Sequence, residues 1–510
     1  MHHHFLVGSS FTAAATVTVT LFLLALPDRH QTRGQSQSQS HVYRRNLVDL
    51  AEPPPLTFSP KDGTFQISVF EDLHFGKNAW EEWGAFQDSA TARVMNTVLD
   101  AEASTDLVVL NGDLISGENT YRENSTRYVD QIVEPMVRRG MTWASTYGNH
   151  DTDFNLSRTA LWEEERKWLG SRTGRMVDHP EAGISNYYLP VYPAECGGRN
   201  MNRQLQDQQE SSPACECDTP SLILWFFDSR GGRAYQSHYP VTGQPLGEQN
   251  WVHHSVVGWF KTTRASINAP SLTANEKVIL SIGFVHIPTA ASLAFQRSKG
   301  GVDASRQPGI NDNVPLSPQG QEWCKGASSD DDGEEHNGEA KEVEEKEGCD
   351  YGDQYIPFMQ AIAAASHGMM ALFSGHDHGN SWCYKWDGKI PGAQVKRDMD
   401  QAVITAPGNE EQQQEEEGEG EGNGQGQKRG VNLCFGQRTG YGGYGSWIRG
   451  SRQIVVHQEE LEEFVIRTHI RLENGEVVGA VTLNGTYGED RYPVTRNERT
   501  HLVDSALEDF

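Results

Sequence analysis

The chain has 510 residues, with 70 acidic against 43 basic side chains and a formal net charge of −27 at pH 7. Its length suggests two or three domains, and the lack of a basic footprint argues against nucleic acid as a partner. About half of the charge, a net −13, lies in two segments, 328–347 and 409–429.

The amino terminus predicts a targeting segment. An apolar, Thr-containing run from Phe11 to Leu26 ends at Pro27, as in a secretory signal, and it is short for a bilayer-crossing helix, which needs about 20 residues. The run is preceded by no Lys or Arg and followed by no clean cleavage site. Residues 1–27 are therefore interpreted as a signal peptide or an uncleaved signal anchor, followed by a flexible linker, 28–60.

Three Asn-x-Ser/Thr sequons begin at Asn124, Asn155 and Asn484, and such sites are glycosylated in secreted proteins. Together with the targeting segment they predict a glycoprotein that is secreted or resides in the secretory pathway or vacuole. No stable membrane span is expected unless the amino-terminal segment stays uncleaved. The sequence leaves the oligomeric state open.

Between 61 and 490, short apolar runs alternate with amphipathic stretches, which is typical of an α/β domain. Within 453–483, two apolar runs are joined by ENGE, a hairpin signal, and 491–510 is expected to be a C-terminal tail. The predicted strands are 64–70, 106–111, 141–147, 222–228, 278–286 and 369–375. The predicted helices are 86–101, 126–139, 157–169, 250–265 and 355–366.

Polar segments interrupt this domain at about 197–218, 326–348 and 408–430. Their few apolar residues and like charges predict disordered insertions. Seven cysteines suit an oxidising compartment. Cys383 and Cys434 bracket the last insertion, and we expect them to form a disulfide.

Cys324 and Cys349 bracket the middle insertion in the same way, whereas Cys196, Cys215 and Cys217 fall in the first. A metal-thiolate pair at Cys215-x-Cys217 is a less favoured alternative, because no matching second pair exists.

Five predicted strands end in side chains that bind metals. In open α/β sheets, ligands bind at the carboxyl ends of strands, and residues i and i+2 of an extended chain face the same side. A lone His or Asp-Gly is ordinarily structural, but five such endings predict a metal site. In chain order the residues are Asp72 and His74, Asp113, Asn149 with His150 and Asp151, His286, and His376 with His378.

The ligand types narrow the metal and its chemistry. Asp, Asn and His without Cys suit ions such as Mn, Zn and Fe. There are too many ligands for one ion with an open position and enough for two. Two ions can activate a shared water and clamp an anionic substrate, an arrangement suited to phosphate ester hydrolysis.

The segments DLHFG, NGDLI, YGNHD, FVHIP and GHDHGN, in this order, resemble the calcineurin-like metallophosphoesterases. SGHDHGNSWC and the later LCFGQRTGYGGYG resemble, more narrowly, the single-domain purple-acid-phosphatase-like branch of plants and fungi. The resemblance covers roughly 61–485. It implies a four-layer α/β/β/α sandwich that holds two divalent or trivalent ions (Fe, Mn or Zn).

The resemblance also implies a role for each motif residue. His150 would be a non-ligand imidazole that contacts the phosphoryl oxygens or protonates the leaving group, and Asp151 would orient it. The first ion would be held by Asp72, His74, Asp113 and His378. The second would be held by Asp113, Asn149, His286 and His376, with Asp113 bridging.

The implied activity is phosphoric ester hydrolysis, most simply by a phosphomonoesterase, with a metal-bridging hydroxide attacking phosphorus in line. A phosphodiesterase with the same metal pair is one alternative. A catalytically silent secreted binding protein is another, against which the complete ligand set argues.

One position departs from the purple enzymes. Their colour comes from a tyrosine ligand three residues after the bridging aspartate, where this chain has Ser116, and they lack the histidine found here as His74. We therefore expect His74 to replace the tyrosine, and a protein that is neither purple nor tied to iron(III). Glu71 is expected to point away from the metals.

Other polar residues have ordinary interpretations. His253 and His254 are expected to be surface or packing groups, and Arg230 and Arg233 to be loop arginines rather than phosphate ligands. The glycine-rich segment 436–447 lacks the Lys-Ser/Thr of a P-loop. We interpret it as tight backbone near the site, with Tyr441 or Tyr444 flanking the substrate.

Overall fold

The computed structural model describes residues 53–196, 217, 219–273, 278–320, 354–390 and 430–500. The predicted targeting segment, the linker up to residue 52, the cores of the three insertions, Cys324 with Cys349, and the end of the tail lie outside these residues. Within the described part, no helix is both long and apolar enough to cross a membrane.

The described residues form two large sheets and several helices. The helices are α1 (Glu82–Ala101), α2 (Tyr128–Arg139), α3 (Arg158–Glu165), α4 (His254–Thr273), α5 (Ala290–Arg297) and α6 (Ile356–Ala364). The strands are β1 (Leu56–Thr57), β2 (Thr64–Phe70), β3 (Leu107–Asn111), β4 (Trp143–Thr146), β5 (Tyr187–Tyr192), β6 (Leu222–Phe227), β7 (Arg233–His238), β8 (Pro245–Gly247), β9 (Leu280–Val285), β10 (Met369–Ser374), β11 (Cys383–Trp386), β12 (Val431–Phe435), β13 (Gly450–His457), β14 (Ile466–Leu472) and β15 (Val477–Leu483).

Both sheets are mixed. The first has the order β15-β14-β13-β2-β3-β4, with β2, β3 and β4 parallel. The second has the order β1-β5-β6-β9-β10-β12-β11, with β6, β9, β10 and β12 parallel. Because parallel strands end at the same edge, the loops that follow β2, β3 and β4 emerge together, as do those after β9 and β10.

Side-chain alternation assigns the layers. Ile67 and Val69 of β2 share one buried cluster with Phe284 of β9, so this apolar layer lies between the two sheets. The next residue, Phe70, faces the opposite side and packs in a cluster with Val98 of α1, as the two-residue period of a strand requires.

The outer face of the second sheet is covered by helices too. Phe227 of β6 packs with Phe260 of α4 and Phe358 of α6 in a third cluster. Burying one such aromatic side chain contributes about 1.5–3 kcal/mol. The four-layer α/β/β/α arrangement predicted from the sequence is confirmed.

The six predicted strands and five predicted helices are all present, with shifted ends. The ENGE hairpin is also present, since β14 and β15 pair antiparallel. The sequence analysis missed α5 and seven strands, namely β1, β5, β7, β8, β11, β12 and β13. β5 carries Pro190 and polar or half-exposed neighbours, so its pattern is not that of a buried strand.

Disulfides join two cysteine pairs. Cys383 and Cys434 are bonded and stand opposite each other in the antiparallel β11–β12 pair, as predicted. Cys196 is bonded to Cys217. The alternative of a thiolate metal site at Cys215-x-Cys217 is therefore wrong, because Cys217 is committed to a disulfide.

The packed chain extends beyond the predicted domain ends. Leu56 of β1 pairs with Val191 of β5, ahead of the expected start at 61. In the predicted tail, the backbone N–H of Thr500 donates to Ser446 O at 2.8 Å. Arg499 also forms an ion pair with Asp312.

Candidate metal centre

The loops after β2, β3, β4, β9 and β10 bring the predicted ligand side chains together. These side chains form three groups of three, and within each group the potential ligand atoms all lie within 4.8 Å of one another. The third group shares residues with the other two. The first group is Asp72, His74 and His378; the second is Asp113, His286 and His376; the third is His74, Asp113 and His150.

Backbone carbonyls fix the tautomer of two of these histidines. His378 Nδ1 lies 2.9 Å from Tyr444 O, and His286 Nδ1 lies 2.8 Å from Asn111 O. A carbonyl only accepts, so each Nδ1 carries a proton and donates it. Metal-binding histidines are typically held in this way, with the other nitrogen aimed at the ion.

His74 is also held through its Nδ1 atom. Its Nδ1 lies 3.1 Å from Ser116 Oγ, and its Nε2 lies 3.1 Å from Nε2 of His378. His378 Nε2 bears a lone pair, so two nitrogen lone pairs converge when His74 donates to Ser116. A cation between them turns that repulsion into coordination.

Burial keeps most of these rings neutral. It lowers the pKa of His74 and His378 well below the usual range, and that of His376 to about 3. For His286 burial acts the same way, but Asp113, with Oδ2 at 3.1 Å from Nε2, raises its pKa to about 10. A metal at this nitrogen would displace the extra proton, since ligands bind deprotonated.

The carboxylates are deeply buried. At Asp113 burial opposes ionisation, yet the facing His286, His150 and His74 hold its pKa well below the usual value. Burial raises the pKa of Asp72 to about 7. A bound cation would reverse that shift, because it favours the charged carboxylate.

Asn149 has a polar atom without a partner. Its Oδ1 is buried and has no hydrogen bond to any described residue. Leaving such an oxygen unsatisfied costs about 1–3 kcal/mol, whereas coordination of a cation satisfies it. The preceding Gly148 is needed for space, because a Cβ there would lie 2.2 Å from Asp113 Oδ1.

The backbone is strained at the same places. Four of the nine described non-glycine residues with positive φ are proposed ligands: Asp72 (51°), His74 (50°), Asp113 (49°) and His376 (74°). Such conformations cost on the order of 1–3 kcal/mol each and concentrate at functional sites. The donor set, the orphaned amide oxygen and the strained loops all fit a metal centre.

His150 lies at the mouth of this cluster and is one-third exposed. Its Nδ1 is 3.0 Å from Glu118 Oε1 and 3.8 Å from Asp153 Oδ2. Burial disfavours the charged ring, but Glu118 and Asp113 outweigh it and raise the pKa of His150 well above its usual value. His150 is thus a partly exposed imidazole with a raised pKa beside the predicted ligands.

The expected partnership of Asp151 with His150 is wrong. Asp151 Oδ1 accepts the backbone N–H groups of Leu114 and Ile115 at 2.9 and 3.0 Å, and Oδ2 accepts that of Gly148 at 2.8 Å. Its carboxylate therefore joins the loop after β3, which carries Asp113, to the loop after β4, which carries Asn149.

Sequence reasoning missed Glu118 as the partner of His150. Glu118 lies in a 3₁₀ turn, Gly117–Asn119, directly after the NGDLI motif. The sequence signal that could have identified Glu118 is its position, a carboxylate in the loop after β3 that also carries Asp113.

The glycine-rich segment 436–447 packs over the ligands, as predicted. The Tyr444 ring stacks on His378, with centroids 4.0 Å apart, and a Cβ at Gly443 would lie 2.6 Å from His378 Cε1. Arg438 anchors the segment by donating to Gly445 O at 2.7 Å. Tyr441 instead donates to a surface-side carboxylate, that of Glu473, at 2.6 Å.

The structure also shows the contacts of three residues that the sequence analysis placed outside the metal site. Glu71 belongs to none of the groups of ligand atoms, and its Oε2 accepts a hydrogen bond from Asn111 Nδ2 at 3.2 Å. The guanidinium of Arg230 donates two hydrogen bonds to Trp251 O, at 2.9 and 2.8 Å. Arg233 is half-exposed and lies 3.5 Å from Asp153.

Comparisons with known proteins relate this chain to phosphoesterases. A family model described as calcineurin-like phosphoesterase matches residues 67–250. Probable inactive purple acid phosphatase 28 of Arabidopsis thaliana is 26% identical over 270 residues, which are 48% of this chain and 58% of that protein. Probable inactive purple acid phosphatase 29 of the same plant is 22% identical over 78% of this chain and 77% of its own length.

Phosphatase DCR2 of Saccharomyces cerevisiae is 33% identical over 44% of this chain and 35% of its own length. The matched segment thus spans less than two thirds of two of these three relatives. Among solved structures, a dimetal phosphatase from Danio rerio matches 82% of this chain and 98% of its own, with 10% identity and a TM-score of 0.41.

Proposed function

This chain belongs to the calcineurin-like phosphoesterase family, and from that premise we propose that it is a two-metal phosphomonoesterase of an extracytoplasmic compartment. The observation that carries the proposal is the convergence of His74 and His378, whose Nε2 atoms lie 3.1 Å apart, so that two lone pairs meet when His74 donates its Nδ1 proton to Ser116. A phosphate ester is the substrate class, and nucleic acid is not expected as a partner.

The two groups of side chains divide between two ions. The first ion would be held by Asp72, His74, Asp113 and His378, and the second by Asp113, Asn149, His286 and His376. Two bound cations of Fe, Mn or Zn supply Lewis acidity and offset the charge of a phosphate group. Asn149 adds an oxygen ligand without adding negative charge.

His150 has the position of an acid. Its backbone N–H donates to Asp113 Oδ1 at 2.9 Å and its ring Nδ1 lies 3.0 Å from Glu118 Oε1, so both the main chain and the ring are held beside the proposed ligands. Glu118 at Nδ1 leaves Nε2 to hold a proton toward the cleft, where it can stabilise phosphoryl oxygens or protonate the departing alkoxide. Such a group commonly contributes about 10²–10⁴ in rate.

Two alternatives stay open. A phosphodiesterase would use the same residues. A catalytically silent protein is favoured by two relatives named as probably inactive, and it is disfavoured by the intact ligand set and His150. The relative named as a phosphatase supports the enzymatic interpretation.

Hydrolysis of p-nitrophenyl phosphate and of its bis ester, by chain loaded with each metal in turn, separates the three proposals. We expect turnover of the monoester, and at least a tenfold drop in Asn149→Ala. A strong preference for the diester would replace the proposal by the first alternative. No hydrolysis with any metal across a pH series would establish the second.

The disulfides are the evidence for an extracytoplasmic compartment. Cys196–Cys217 and Cys383–Cys434 would not persist in a reducing cytosol. Secretion, and glycosylation at Asn124, Asn155 and Asn484, follow as proposals from the same reasoning.

A further inference from the structure

A second set of imidazole and carboxylate groups lies away from the metal centre, where the chain before β5 meets the start of α4. His179, Glu181 and His253 each offer a ligand atom, and these atoms lie within 4.8 Å of one another. None of the three belongs to the groups around Asp113. We propose that these three residues form a separate zinc site.

His253 is the anchor of the proposed site. Its side chain is 5% exposed, and its Nε2 lies 3.3 Å from Glu181 Oε2. Its Nδ1 lies 2.8 Å from Ser255 Oγ. The same Nδ1 also accepts the backbone N–H of Ser255 at 3.3 Å. Zinc at Nε2 requires Nδ1 to release that N–H and to donate its own proton to the hydroxyl, the outer hydrogen bond that metal-binding histidines characteristically make.

The other histidines are close to this ring. The His179 ring stacks on that of His253, with centroids 4.7 Å apart, and the His254 ring is 3.9 Å from it. Packing explains one buried histidine, as the sequence analysis expected. It gives no reason for three imidazoles and a carboxylate to meet at one surface point.

Zinc fits this donor set. It binds imidazole nitrogen and carboxylate oxygen at about 2.0–2.2 Å in tetrahedral sites, so ligand atoms must approach to about 3.3 Å. His253 and Glu181 already do. His179 must release the backbone N–H of Glu181, which its Nδ1 accepts at 3.2 Å, and its half-buried side chain and the exposed side chain of Glu181 leave room to close.

An ion here would join two parts of the chain that are over 70 residues apart. The loop continues to Ile184, whose N–H donates to Asp228 Oδ2 at 2.7 Å. The other oxygen of Asp228 lies 3.5 Å from Arg158, which donates to Gly148 O at 2.7 Å. The zinc would therefore brace the backbone that precedes Asn149 without contacting substrate.

Metal-free full-length chain is titrated with Zn²⁺ alone against a chromophoric chelator at pH 7.5. We expect the wild type to bind one more equivalent than His253→Ala, and Glu181→Ala to weaken that equivalent at least tenfold. His238→Ala removes an imidazole elsewhere and should leave it unchanged. The three histidines at positions 2–4 are present in every variant, so their binding cancels.

Glu181 is exposed, so Glu181→Ala tests the site even if His253→Ala does not fold. The extra zinc should raise the thermal midpoint of the wild type and not that of Glu181→Ala. Equal zinc stoichiometry and affinity in the wild type, His253→Ala and Glu181→Ala would overturn the proposal. A loss shared by His238→Ala would also overturn it, because it would mark adventitious surface binding.

Discussion

Ser116 occupies the position of the tyrosine ligand of the purple enzymes and instead holds the Nδ1 of His74 at 3.1 Å. Serine in place of tyrosine therefore removes a phenolate. The serine hydroxyl also supports the His74 imidazole, which we expect to take the place of that phenolate. The ligand roles themselves stay predictions. What the geometry adds is a reason for Ser116 and His74 to occur together.

The first prediction concerns this pair. His74→Ala should lower the bound metal, because it removes one of four proposed ligands of the first ion. His150→Ala should keep the metal and lower kcat by about 10²–10⁴. Iron-loaded wild type should show no phenolate charge-transfer band in its visible spectrum. A purple protein, or a His74→Ala variant with full metal and activity, would contradict the replacement.

The second prediction concerns Glu118, which we expect to orient His150. Glu118→Gln should lower kcat by about 10²-fold for alkyl phosphates, whose poor leaving groups need a proton, and much less for p-nitrophenyl phosphate. Metal content and KM should change little. Asp153→Asn, at the longer distance of 3.8 Å, is the matched control and should cost less. Equal losses on both substrates would rule out this role.

At the scale of elements, helix α1 supports the loop that carries His74. The backbone N–H of Gly76 donates to Oδ1 of Asp88 at 3.0 Å. A carboxylate in this buried position is costly when charged, and burial raises the pKa of Asp88 to about 7. The helix thus holds the loop with an acid that prefers its proton.

The third prediction follows from that shift. The folded pKa of Asp88 is raised, so its stabilising contribution is present below its unfolded value of 3.8 and is lost as pH rises through about 7. Asp88→Asn keeps the acceptor oxygen and removes the charge. Above pH 7 it should stabilise the fold by on the order of 2–4 kcal/mol, and near pH 4 hardly at all. Urea unfolding at both pH values measures this; equal effects would contradict it.

At the scale of the whole molecule, alternation, glycine-bounded motifs and strand ends made the fold and the candidate ligands predictable. Those signals are local in sequence. The partner of His150, the true contacts of Asp151 and the meeting of His179 with His253 depend on how distant loops pack. No sequence period encodes such contacts, and β5, which lies between the two-residue edge strand β1 and β6, lacks the buried pattern that marks the central strands.

The fourth prediction is that 328–347 and 409–429 are dispensable. Their composition predicts disorder, and the second lies between cysteines already joined across β11 and β12. Deleting both should move the thermal midpoint by no more than about 2–4 °C, the equivalent of about 1 kcal/mol, with metal content and kcat kept. Loss of folding would show that these segments are structural.

The order of strands in the first sheet has a consequence for synthesis. β2, which carries Asp72 and His74, lies between β3 and β13, and β13 begins only at Gly450. At about 5–20 residues per second, His378 leaves the ribosome roughly 15–60 s after Asp72, and β13 later still. During that interval the early ligands exist without their partners and β2 has an open edge. If the proposed ligands hold the metal, its capture would be one of the last events in the maturation of this chain, and it would depend on the ions available where folding is completed.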